Sequence, residues 1–274
     1  MLMSGAMKGV RVLAIAVMLL STISSYAKAG EVVLDANESA PFFSSSLPMD
    51  GMCGEIIHAV SQAAGIQSHI SYKPLQRMID EDDNNDLGNP LFFMNNQDFT
   101  AIIPIAVYHV AVFDFRPNHA NGHTVATLEN MRSHKVGLLK GTLVNRSAFE
   151  KAGITFEESY SQTSLFKKLR KGRLDVVVEV DLVGRKVIKM LFPREAEQFK
   201  TLRIPNSSAP IAILLSEKQP DAQLLAAKYR RGLQMIRASG EYEASLKKYY
   251  GDKVPEAYYQ QLDRFSYLYH GEEK

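Results

Sequence analysis

Apolar and polar positions follow two periods along this chain. Val32-Val33-Leu34, bounded by Glu31 and Asp35, predicts a strand over 31–35. Between Gly51 and Ala64, Ile56, Ile57, Val60 and Ala64 fall near one helical face, and Gly65 follows at a natural C-cap position. His69 to Tyr72 alternates as a strand. Pro74 then turns the chain into a short helix, Leu75 to Asp80. The acidic stretch Glu81 to Asp86 reads as a solvated loop without function. Phe99 to Phe115, dense in β-branched and aromatic residues, predicts two short strands.

The turn-rich segment 117–123 marks a crossing. Beyond it, strands at 135–139, 154–159 and 174–180 alternate with helices at 143–152, 164–171 and 182–192. This rhythm predicts βαβ units and a parallel sheet. A further strand, Ala209 to Leu215, lies near a return crossing. Helices over 221–238, 242–250 and 255–269 close the chain. The expected architecture is α/β, with two lobes, mainly parallel sheets and a hinge. One lobe takes residues 30–117 and 210–274, the other 118–209.

The first residues change the picture. Lys8 and Arg11 precede the apolar run Val12 to Leu20, and Ala27-Lys28-Ala29 follows. This is the anatomy of a secretory signal, with cleavage expected after Ala29 and a periplasmic product; an uncleaved anchor is the alternative. The run is shorter than the roughly 20 residues that span a bilayer. The whole chain carries 32 basic and 30 acidic residues; without Lys8, Arg11 and Lys28 the basic count falls to 29. A near-neutral mature chain gives no support for nucleic-acid binding. Cys53 is the single cysteine, which excludes an internal disulfide and reads as a small buried residue.

Lys135 to Leu139 runs into Gly141-Thr142 before a helical pattern, so backbone N–H groups and a hydroxyl stand at a helix start. Such a start can seat a carboxylate or phosphate. The chain resembles the extracellular solute-binding proteins of family 3, the type 2 periplasmic fold typified by amino-acid receptors of ABC transporters. The resemblance rests on Glu55 to Val60 with Gly65, and on Tyr72 to Arg77, where Trp is commoner at the Leu75 position. It continues through Phe113 to Pro117, Lys135 to Thr142 and Lys171 to Asp175. Ala238 to Tyr242 and Lys248 to Gly251 complete it.

That resemblance implies an Arg six residues before the Phe of the D-F-S-like step, clamping a ligand α-carboxylate. His109 stands there. Arg suits the task because its planar fork donates two parallel hydrogen bonds; His cannot do this. The resemblance also implies an Asp five residues past Asp175, holding the ammonium. Val180 stands there, flanked by Glu179 and Asp181, which strand alternation places on one face. Either the register differs by one or the anchor is altered. Phe42 and Phe43 read equally as cleft wall, like the family's early aromatic, and as core. His109 reads equally as a ligand group and as a hydrogen-bonded structural histidine. Arg77 and Arg116 read first as surface or hinge-side arginines, with a substitute cation for the ligand as the alternative. Asp175 reads as structural.

The leading expectation is a non-enzymatic, monomeric binding protein that captures a small polar solute, such as an amino acid or organic acid. It would serve an ABC permease or a membrane sensor. A lyase-like enzyme on the same fold would need Glu179, Asp181 and His109 as acid or base. An accessory protein that uses its lobes for protein contact is the third reading. No cofactor is implied. The histidines, His119 and His123 included, fix no metal geometry.

Overall fold

The computed structural model describes residues 31–81, 84–118, 128–140, 146–251, 254–255 and 257–270. The expected signal segment, His119, His123, Gly141 and Thr142 lie outside the described residues.

Strands β1 (Val32–Ala36), β2 (Ser68–Tyr72) and β3 (Asn85–Gly88) pair in parallel around β1. At the other side of the sheet, β5 (Val136–Leu139), β6 (Phe156–Ser159) and β7 (Val176–Val180) pair in parallel around β5. Between them run two long strands, β4 (Phe99–Phe115) and β8 (Phe199–Ser216), antiparallel to one another. The sheet order is β2-β1-β3-β8-β4-β7-β5-β6. The sheet is thus parallel in each wing and antiparallel in the centre.

Two short strands were expected over 99–115; one strand of 17 residues is found. Apolar residues bury both of its faces, so nothing in its pattern favours a solvated break. The strand bends at register shifts instead, one of them beside Pro104, which has no N–H to give a ladder. Strand β8 is also longer than expected. His109 pairs with Ser208, whereas Ala111 pairs with Arg203, so residues 204–207 of β8 bulge out where the two wings meet. Asn206 sits there in the left-handed region (φ 57°). Ser207 Oγ donates to Val110 O at 3.1 Å and ties the bulge down.

Helix α1 (Gly51–Ala64) buries Met52, Cys53, Ile56, Ile57 and Val60 and ends at Gly65 with φ 66°, as a left-handed C-cap requires. Helix α2 (Leu75–Asp80) follows β2. The expected loop Glu81 to Asp86 is corrected at its end. Asn85 and Asp86 begin β3, and Asp86 is fully buried, because β3 is needed to join β1 to β8. The second wing adds α3 (Leu128–Met131), α4 (Arg146–Lys151), α5 (Gln162–Arg170) and α6 (Asp181–Leu191). Phe113, Phe115, Leu165, Phe166, Leu169 and Val177 form its own apolar cluster.

Helices α7 (Ala222–Ser239), α8 (Glu241–Tyr250) and α9 (Tyr258–His270) return to the first wing. Tyr242 Oη donates to Ile105 O at 2.8 Å, and Tyr258 Oη accepts from Val107 N–H at 3.0 Å. The tyrosines of the terminal helices therefore satisfy backbone groups of β4 that the bends leave free. No helix among the described residues is long and apolar enough to cross a membrane.

Candidate functional site

A cavity of about 310 Å³ lies between the wings. The first wing contributes the 37–43 loop, Leu75, the end of β3, Phe92, Phe93 and Tyr108. The second contributes Leu139, Gln162, Glu179, Val180 and Val183. Gly88, Leu139 and Glu179 lie at or next to the ends of β3, β5 and β7, where α/β sheets place ligands, and Tyr108 joins them from within β4.

The aromatic loop is built by the start of α1. Met52 N–H donates to Pro41 O and Cys53 N–H to Phe42 O, each at 2.9 Å. Gly51 permits this approach: with φ 89°, a Cβ there would meet Pro41 O at 2.7 Å. The helix start thus fixes Phe42 and Phe43, both 2% exposed, in the cavity wall. Phe42 meets Tyr108 edge to face, with centroids 6.4 Å apart. Asn89 Nδ2 donates to Tyr108 Oη at 2.9 Å and holds that ring in place. At the mouth, exposed Glu38 accepts from Ser45 N–H at 3.0 Å, and hydrogen bonding from the Ser45 hydroxyl and amide holds its carboxyl below the usual range.

Glu179 is the next-to-last residue of β7. Its side chain is 3% exposed. Val180 N–H donates to Oε1 at 2.8 Å, and Gln162 Nε2 donates to Oε2 at 3.1 Å. Burial raises the Glu179 carboxyl, against these two hydrogen bonds. Asp181 does not share this site. The strand ends at Val180, so alternation stops one residue before Asp181, which opens α6. Its carboxylate binds Arg185 and, at 2.7 Å, Arg203.

His109 also faces elsewhere. It is 8% exposed, and its Nε2 meets Gln261 Oε1 of α9 at 2.7 Å. Burial lowers its pKa, so it stays neutral near pH 7. Its neighbour Tyr108 takes the cavity face, as alternation along a strand requires. Arg77 is 65% exposed and pairs with Glu81 at 3.6 Å, away from the cavity; Arg116 is exposed beyond β4. Asp175 accepts Lys135 N–H at 2.7 Å and joins two strand starts.

Of the expected site residues, the cavity brings together Phe42, Phe43 and Glu179. Tyr108, Asn89 and Gln162 were not singled out from the sequence. A strand neighbour of the expected Arg position was the one available signal for Tyr108. Nothing local distinguishes Gln162 from any helix-start glutamine.

A larger groove of about 820 Å³ runs between α6, β8 and the end of α8, lined by Arg185, Lys186, Lys189, Arg203 and Lys248. It contains none of the expected site residues, and its arginines are occupied by Asp181. The smaller cavity is the better candidate, because it is lined from both wings and holds the buried carboxyl of Glu179.

No family model and no curated protein matches the sequence. Among solved structures, the chain is similar to a histidine kinase sensor domain with similarity to periplasmic binding proteins. That match has 18% identity over 81% of this chain and 96% of the other, with a TM-score of 0.61. It is similar to the substrate-binding protein of an amino acid ABC transporter, at 15% identity over 80% and 99%, TM-score 0.58. It is also similar to the GluR0 ligand-binding core in complex with L-glutamate, at 13% identity over 82% and 100%, TM-score 0.63. These matches span nearly the full length of each solved chain, and with the antiparallel crossing of β4 and β8 they give this protein the two-lobed fold of the type 2 periplasmic binding proteins.

Proposed function

We propose that the protein is a periplasmic solute-binding protein, exported by a signal peptide cleaved after Ala29. It captures a small polar solute between its lobes and presents it to an ABC permease or a membrane sensor. Lobe 1 comprises residues 30–117 and 210–274, and lobe 2 residues 118–209. The observation that carries this reading is the cavity of about 310 Å³ lined from both wings, with buried Glu179 on one side and Phe42, Phe43 and Tyr108 on the other.

Closure of two lobes on a solute needs only a higher affinity for the closed state. Capture without chemistry is favoured over lyase chemistry because the three candidate acid–base groups are separated. Glu179 lines the cavity, Asp181 binds two arginines and His109 binds Gln261. The sensor domain and the transporter receptor among the similar structures support either kind of membrane partner.

A thermal-shift screen of residues 30–274 against amino acids, organic acids, amines and sugars tests the reading. At a ligand concentration 100-fold above Kd, binding adds about 2.7 kcal/mol of stability. The expected result is stabilisation by one chemical class, with a smaller radius of gyration in solution scattering. Flat melting curves with every class would shift the function to protein contact.

A further inference from the structure

We infer that the cleft selects a compact organic cation, an amine or quaternary ammonium without a carboxylate, seated against Glu179 and the aromatic wall. This rests on the reading of the cleft as a solute site.

Charge comes first. The charged side chains lining the cavity are Glu38 and Glu179; among the described residues no Lys, Arg or His lines it. Glu179 is withdrawn from water, and the two groups that hydrogen-bond it, Val180 N–H and the Gln162 amide, are neutral. A buried carboxylate favours a counter-charge. A ligand ammonium supplies one.

Among the described residues, several cations on the elements that flank the cavity are held elsewhere. Arg203 binds Asp181, Arg77 pairs with Glu81, and Lys140 lies over the Tyr160 ring at 4.9 Å. His109 is held by Gln261. A ligand carboxylate would therefore meet two glutamates and no described counter-charge.

Shape agrees. Phe42, Phe43, Phe92, Phe93 and Tyr108 line the cavity, and aromatic faces attract cations. Asn37 is a neutral polar group on the lining that suits a hydroxyl or amide of the ligand, whereas both ends of the Asn89 amide are held by Tyr108 and Leu91. At about 310 Å³ the cavity sits at the small end of ligand pockets, which run from about 300 to 1,000 Å³.

Isothermal titration of residues 30–274 with butylammonium, choline, L-glutamine, L-glutamate, succinate and glucose tests the inference. Butylammonium or choline should bind at least about 10-fold tighter than either amino acid or succinate, the scale of one charge-assisted hydrogen bond. Glu179→Gln should weaken that amine by about 10- to 100-fold while the protein still melts cooperatively. Should Glu179→Gln fail to fold, Glu38→Gln at the exposed mouth should weaken it by about 2- to 5-fold.

Tighter binding of succinate or of an amino acid would overturn the ligand class and leave solute capture standing. Unchanged amine affinity in a folded Glu179→Gln protein would overturn it equally. Heat from glucose alone would do the same. No heat from any compound would overturn the amine inference and remove support for capture as well.

Discussion

Asp35 and Asp86 occupy paired positions on the parallel strands β1 and β3, and both are withdrawn from solvent, at 2% and 0% exposure. Asp35 Oδ2 keeps Lys73 Nζ at 2.9 Å, and Lys73 also meets Glu81 at 2.7 Å. Neither oxygen of Asp86 has a hydrogen-bond partner among the described residues. Burial, with Asp35 and Glu81 adding to it and Lys73 opposing, raises the Asp86 carboxyl to about 8.

The folded-state value of Asp86 lies above the 3.8 of an ordinary Asp, so the folded protein holds an extra proton between these limits. Stability from this group is full below about pH 4 and is lost as pH rises through about 8. Asp86→Asn should flatten the fall in melting temperature over that window. At pH 8 it should melt higher than wild type, by roughly 2–4 °C for each kcal/mol relieved. An unchanged pH profile in Asp86→Asn would remove Asp86 as its source.

Glu179 obeys the same sign, since burial raises its carboxyl in the folded protein. Without ligand, Glu179→Gln should melt at or above wild type at pH 8, once the Gln162 amide turns its oxygen toward the new side chain. At pH 4, where both proteins are neutral at this position, the gap should close. A variant that melts lower than wild type at both pH values would show a structural role for the carboxylate.

Tyr258 anchors α9 to β4 by accepting the Val107 N–H. Tyr258→Phe leaves that buried donor unpaired and should cost about 1–3 kcal/mol in urea denaturation. Tyr267, which is 77% exposed, provides the control. Tyr267→Phe should leave the urea midpoint unchanged, and equal losses at both positions would contradict the anchoring role.

Gly184 of α6 faces the Phe113 ring, where an added Cβ would lie 2.2 Å from the nearest ring carbon. Phe113 is fully buried and meets Phe166 edge to face at 5.4 Å, so moving its ring would disturb a packed contact. Gly184→Ala should cost at least about 1–3 kcal/mol through overpacking. The smaller Phe113→Leu ring replacement should recover part of that loss in the double variant, measured as non-additivity of melting shifts.

Much of the fold was legible because local pattern and tertiary demand agree. Helix α1 spans the expected Gly51 to Ala64, and α2 the expected Leu75 to Asp80, because the apolar positions that set each pattern are the ones the fold buries. Long buried strands were harder to read. Strand β4 is apolar on both faces, so its pattern gives no period to show where it bends or ends. Asp86 looked solvated because its neighbours in sequence are acidic; its burial follows from β1 and β8, which lie far away in the chain.

The site divides along the same line. The sequence by itself determined the strand–helix rhythm of an α/β chain, because that rhythm is local, and through its resemblance to the family 3 receptors it determined the two-lobed architecture and the departure from an Arg at position 109. Tertiary structure decided that Tyr108 rather than His109 faces the cavity, that Asp181 belongs to two arginines, and that Glu179 is buried with neutral partners. Those outcomes depend on where strand β7 ends and how β4 and β8 bend past each other. Such register is set by packing between distant segments, which no local pattern records.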